Sequence, residues 1–161
     1  MNPSEDSYGN RSEGAAFPEA SPHADGPLVV VVDDHEDSVG VVVYVLESIQ
    51  CRHISMDSGA GLLEALRSIR PDVILLDILL PDINGLDLID LIRREFSNLQ
   101  IPIIAVTALS SAQDRHAIAQ KGFTDCLIKP FDLSLLRQKL QNYLYQHQSS
   151  FFPISANCSA P

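Results

Sequence analysis

Leu28-Val29-Val30-Val31-Val32-Asp33-Asp34 is the stretch whose character sets the fold. Five consecutive apolar residues, four of them β-branched valines, leave no polar side to turn toward water. A strand of that kind is buried on both faces, as in a parallel sheet sandwiched between helices. The run stops on two carboxylates, so the buried segment ends where charge begins.

Four more apolar segments of strand length follow, at 52–55, 73–76, 103–106 and 126–128. Helical spacing lies between them. Leu62, Leu66 and Ile69 fall at i, i+4 and i+7. Ile89, Ile92 and Phe96 fall at i, i+3 and i+7, with Asp87, Asp90 and Arg94 on the opposite face. Ser110 and Gln113 read as a capping box, and Gly122 closes that helix. Asp132 caps the last helix, whose apolar face is Leu133, Leu136, Leu140 and Tyr143. The segment 39–45 is so rich in valine that local propensity allows a strand; its place between two strands favours a helix. Alternating strands and helices predict an α/β domain with a doubly wound parallel sheet. Sites in such sheets form at the carboxyl ends of the strands, where strand order reverses.

The 161 residues carry a formal net charge of −10 and a pI near 4.7. That balance disfavours nucleic acid and anionic membrane surfaces, both of which require clustered Lys and Arg. Residues 1–27 are proline-rich and acidic, and are expected to be a disordered tail before a domain at 28–145. The sixteen residues 146–161 contain no Lys or Arg and are expected to be a second tail without an output domain. No apolar run is long enough to span a bilayer. Cys51, Cys126 and Cys158 are widely spaced and read as reduced thiols, which with the charge balance suggests a cytoplasmic location.

The first, third, fourth and fifth strands end on polar residues: Asp33 and Asp34, then Asp77, Thr107 and Lys129. Gathered in one cleft, three carboxylates repel one another unless a cation joins them. Hard oxygen donors suit Mg²⁺ better than zinc. The permitted chemistry is phosphoryl transfer, with Asp77 as nucleophile on phosphorus and Lys129 and Thr107 as partners for the phosphoryl oxygens. The histidines are scattered without ligand spacing, and His35 reads as a loop residue.

Val-Val-Asp-Asp at 31–34, Leu-Leu-Asp-Ile-Leu-Leu-Pro-Asp-Ile-Asn-Gly at 75–85, Val-Thr-Ala at 106–108 and Lys-Pro-Phe at 129–131 resemble the motifs of response-regulator receiver domains. The resemblance covers about residues 28–145 and implies a flavodoxin-like sheet of order 2-1-3-4-5. It also implies Mg²⁺ held by Asp33, Asp34, Asp77 and the Leu79 carbonyl, and phosphorylation of Asp77 by a histidine kinase or histidine phosphotransfer protein. Thr107 and Lys129 would sense the phosphoryl group, the Lys129–Pro130 bond would be cis, and Pro81 and Gly85 would shape the loop after Asp77. The output would be a protein contact, to a target or a second copy, through about residues 110–145.

Two positions depart from the family's pattern. Cys126 stands where an aromatic ring usually completes the switch with the Thr. Leu79 and Leu109, two residues beyond Asp77 and Thr107, cannot orient a hydrolytic water, so a long-lived phosphorylated state is expected. Competing readings are weaker. A haloacid-dehalogenase-like phosphatase needs a second acid where Leu79 stands, and a flavodoxin-like cofactor binder would meet repulsion from Asp33-Asp34-His35-Glu36. A pseudo-receiver, never phosphorylated and acting as an interaction module, is the alternative that Cys126 keeps open.

Overall fold

A computed structural model describes residues 25–145, so the two expected tails lie almost wholly outside the described residues. Strands β1 (Leu28–Val32), β2 (Arg52–Met56), β3 (Val73–Leu76), β4 (Ile103–Thr107) and β5 (Asp125–Ile128) alternate with helices. These are α1 (Glu36–Ser48), α2 (Gly59–Ala65), α3 (Gly85–Glu95), α4 (Ala112–Gln120) and α5 (Leu133–Tyr145). The strands form one parallel sheet of order β2-β1-β3-β4-β5. This is the predicted doubly wound architecture.

The side-chain period of two divides each central strand between two cores. Val30 and Val32 of β1 join Ile74 and Leu76 of β3 against Leu62, Leu88, Ile89, Ile92 and Ile118 of α2, α3 and α4. Val29, Val31, Val73 and Leu75 face the other way, onto Val42, Val45 and Leu46 of α1 and Leu136 and Leu140 of α5. Each such buried side chain contributes about 1.5–3 kcal/mol relative to exposure. The valine-rich α1 is helical because Val42, Val45 and Leu46 then share one buried stripe, while Glu36 and Asp37 complement its N-terminal dipole.

Several local expectations shift. The capping box belongs to Ser111 and Asp114, one residue later than Ser110 and Gln113. Gly122 does take positive φ (86°) just beyond α4, as a left-handed C-terminal stop requires. Helix α2 ends at Ala65, and Arg70 turns back to donate to the Leu66 and Ile69 carbonyls, so Ile69 packs from the following turn. On α5, Asp132 caps as expected by accepting the Ser134 N–H at 2.6 Å. Leu133, however, is exposed, because the helix rotates Lys139 and Leu144 inward instead.

Lys139 is buried for an electrostatic reason. Its ammonium lies 2.8 and 2.7 Å from the two oxygens of buried Asp125, which also accepts from Tyr143 at 3.2 Å. This cluster ties α5 to the start of β5. Nothing local in the sequence marks the pair.

Candidate functional site

The carboxyl ends of β1, β3, β4 and β5 converge as parallel register requires. Asp33 and Asp77 follow the last residues of β1 and β3, and the Asp77 N–H donates to the Val32 carbonyl at 2.8 Å. Both carboxylates are buried, and so is Thr107 at the end of β4. The Lys129 N–H donates to the Thr107 carbonyl at 2.8 Å, which fixes where the lysine chain starts. The Lys129–Pro130 peptide is cis.

From there Lys129 reaches across the cleft. Its ammonium donates to Asp33 Oδ2 at 2.5 Å and to Asp77 Oδ2 at 3.0 Å. Burial alone would lower this lysine, but the hydrogen bonds to Asp33 and Asp77 outweigh it and hold the ammonium above the usual lysine range. The second Asp77 oxygen accepts the Leu79 N–H at 3.0 Å, which tightens the chain behind the carboxylate. The Thr107 hydroxyl is engaged in its own loop, accepting the Leu109 N–H at 3.3 Å.

The loop from Ile78 to Gly85 is closed on itself. Leu79 and Asn84 form an antiparallel bridge, and Gly85 N–H donates to the Ile78 carbonyl at 2.8 Å. A Cβ on Gly85 would sit 2.7 Å from Ile78 Cα and 2.9 Å from the Asp77 carbonyl oxygen, so only glycine fits this approach. Asn84 caps α3, and Pro81 is exposed within the loop. Asp82, which the sequence did not single out, anchors the loop to α2 by accepting the Gly59 and Ala60 N–H groups at 3.0 and 2.9 Å. Desolvation works against ionisation there, but those backbone donors hold its carboxyl below the usual range. No sequence signal links residues more than twenty positions apart in this way.

Asp34 is more open than Asp33 and Asp77. His35, expected as a plain loop residue, turns back onto the pair. Its Nδ1 is 2.9 Å from Asp34 Oδ1 and 3.5 Å from Asp33 Oδ1, and its N–H donates to Asp33 Oδ1 at 2.9 Å. One donor atom each from Asp33, Asp34, His35 and Asp77 lies within 4.8 Å of the others, a spacing that one divalent cation can span. The carboxylates are hard oxygen donors of the kind Mg²⁺ takes, so the residues present fit that ion. A recess of about 580 Å³ opens beside them, with Glu36 and Asp57 on its acidic wall and Val39, Gly40 and Met56 on its apolar one.

The two departing positions are also placed. The Leu79 side chain is about half exposed and Leu109 partly buried, both on loops leaving the strand ends. Cys126 is buried in β5 beside Ala105 of β4 and belongs to the core under α4. Cys51 is a buried thiol, pushed up to about 11 by burial and then by the charge of Asp72. Cys158 lies outside the described residues.

The sequence profile of the response regulator receiver domain matches residues 29–141. The polar-differentiation response regulator DivK of Brucella anthropi is 30% identical over 116 residues, covering 72% of this chain and 94% of DivK. The transcription factor prr1 of Schizosaccharomyces pombe is 33% identical over 140 residues. The chain spans only 26% of prr1, and 52% of the regulatory protein TcrX of Mycobacterium tuberculosis. Among solved structures, the chemotaxis response regulator CheY4 of Vibrio cholerae superposes with a TM-score of 0.68 at 25% identity, over 74% of this chain and 99% of that one. The receiver domain of a sensor histidine kinase from Pseudomonas aeruginosa, with a magnesium ion coordinated in its active site cleft, is 30% identical. It also gives a TM-score of 0.68, over 74% of this chain and 98% of that one.

Proposed function

The chain belongs to the response regulator receiver domain family, and from that premise we propose that it accepts a phosphoryl group on Asp77 and uses it to switch a protein-binding surface. The observation that carries this reading is the position of Asp77. It is buried at the end of β3, with one oxygen held by the Leu79 N–H and the other shared with Lys129 and, through it, Asp33. That arrangement holds a carboxylate at the strand ends beside a fixed positive charge.

In this proposal the receiver unit is residues 28–145, and the donor is a phosphohistidine on a kinase or phosphotransfer protein. An Asp77 oxygen attacks phosphorus, an acyl phosphate forms and the phosphorus–nitrogen bond to the donor breaks. Mg²⁺, held by Asp33, Asp34, Asp77 and the Leu79 carbonyl, would supply charge neutralisation on the phosphoryl oxygens. Lys129 moves its hydrogen bond from the Asp77 carboxylate to a phosphoryl oxygen without leaving the cleft. Thr107 gives up its loop contact to Leu109 and donates to another, drawing the β4–α4 loop inward. That motion reaches α4, a helix with Ile118 as its buried anchor, and so reaches the surface made by α4, β5 and α5. The partner is a target protein or a second copy, with no direct role for nucleic acid or membrane. A cytoplasmic location is part of the proposal; among the described residues no helix is long and apolar enough to cross a membrane.

Acetyl phosphate and Mg²⁺ should label the native chain, and Asp77→Asn should not be labelled, on a gel that resolves the phosphorylated form. Absence of labelling from acetyl phosphate and from phosphohistidine donors alike would favour the unphosphorylated interaction module. Cys126→Tyr would then be the first variant to make.

A further inference from the structure

His35 is the side chain at this site that the phosphoryl chemistry leaves without a task. We infer that His35 contributes an imidazole nitrogen to the cation pocket and biases it from Mg²⁺ toward first-row transition ions such as Mn²⁺ and Zn²⁺. The inference rests on the receiver reading of the pocket and concerns which cation it selects.

Distances carry the argument. Two neighbouring ligands of an octahedral ion with bonds of about 2.1 Å are about 3.0 Å apart. His35 Nδ1 and Asp34 Oδ1 are 2.9 Å apart, which matches one edge of such an octahedron. Nδ1 and Asp33 Oδ1, at 3.5 Å, match a slightly opened edge. One imidazole nitrogen of His35 and one oxygen each of Asp33, Asp34 and Asp77 lie within 4.8 Å of one another, a spacing one ion can span.

The backbone holds the imidazole there. The His35 N–H is bonded to Asp33 Oδ1, so the ring's starting point is tied to the carboxylate it serves. The ring is 68% exposed, so an ion arriving from solvent can reach it and replace its contact with Asp34. Lys129 takes Asp33 Oδ2 and Asp77 Oδ2, so the His35 nitrogen lies beside the other Asp33 oxygen, Oδ1, and Asp34 Oδ1.

Ligand chemistry then decides the cation. Carboxylate, carbonyl and water suit Mg²⁺, which dehydrates reluctantly and gains little from a nitrogen donor. Imidazole suits zinc and other first-row ions. Adding one such donor therefore strengthens Mn²⁺ or Zn²⁺ binding while leaving Mg²⁺ almost unaffected.

The test uses the full chain at one fixed pH of about 7.5, near the physiological range. Free Mn²⁺ is counted by electron paramagnetic resonance, and Mg²⁺ affinity is read from its displacement of Mn²⁺. His35→Ala is expected to weaken Mn²⁺ about tenfold, the scale on which a lost metal contact acts, and to change Mg²⁺ less than twofold. Zn²⁺ added to ¹⁵N-labelled protein is expected to move the His35 Nδ1 resonance into the metal-bound range. Equal losses for both ions in His35→Ala, or an unmoved Nδ1, would overturn the role of His35 while leaving the pocket intact. Native-like Mn²⁺ binding in Asp34→Asn and Asp77→Asn would overturn the pocket itself, a separate failure. His35 is exposed, so the variant's thermal transition should match the native one and confirm that folding is not the cause.

Discussion

Lys129 donates to Asp77 Oδ2 at 3.0 Å although 52 residues separate them in sequence. The same ammonium reaches Asp33, so one cation holds two buried carboxylates apart from open repulsion. Lys129→Met should therefore destabilise the protein in a chelating buffer by about 1–3 kcal/mol, the scale of hydrogen bonds to charged groups. Millimolar Mg²⁺ should raise the variant's thermal midpoint more than the native one, because the ion replaces the missing charge. A variant as stable as native protein in chelator would mean that these carboxylates do not burden the fold.

Leu79 and Leu109 leave the strand ends beside Asp77 and Thr107, and neither side chain can hydrogen-bond a water. Leu79→Asn with Leu109→Glu should shorten the lifetime of phosphorylated protein by about tenfold or more, since a positioned polar group orients or deprotonates the attacking water. The check is loss of label over time after the donor is removed. Decay no faster than in native protein would end the idea.

Tyr143 gives the fold an alkaline limit. Burial, then the charge and hydrogen bond of Asp125, push its phenol up to about 12. An unfolded tyrosine releases its proton near pH 10. Between those values the folded chain keeps a proton that the unfolded chain has lost, so stability falls as pH rises. The contribution is complete below about pH 10 and gone above about pH 12. Phenolate absorbance should show a late step near 12 that Tyr143→Phe removes; a curve whose last step survives the substitution would refute the assignment.

Two glycines should respond in opposite directions. A Cβ at Gly85 would press on the Ile78 and Asp77 backbone at 2.7 and 2.9 Å, so Gly85→Ala should cost about 1–3 kcal/mol and disturb the Asp77 loop. A Cβ at Gly40, within α1, would meet nothing within 4 Å, so Gly40→Ala should add about 0.5–1 kcal/mol of helix stability. Urea denaturation of both variants decides it, and the same sign for both would contradict the packing described.

What the sequence determined by itself was the sheet and the residues at its edge. Leu28–Val32 and Val73–Leu76 are apolar without interruption, and burial on both faces follows from that alone. Because each run ends on a carboxylate, hydroxyl or ammonium, parallel register was enough to bring Asp33, Asp77, Thr107 and Lys129 to one end. Tertiary structure decided which atoms meet. The Asp125–Lys139 pair and the Asp82 anchor on α2 join residues 14 and more than twenty positions apart, and their geometry depends on how the helices settle on the sheet. Leu133 fits an apolar face by helical period, which says which residues share a face, but packing of Leu136, Leu140 and Leu144 on the sheet and α1 decides how far that face is rotated. His35 looked like a loop residue because nothing in its neighbours' identities reveals direction. Only the turn after β1, with the His35 N–H bonded to Asp33, aims its imidazole at the carboxylates.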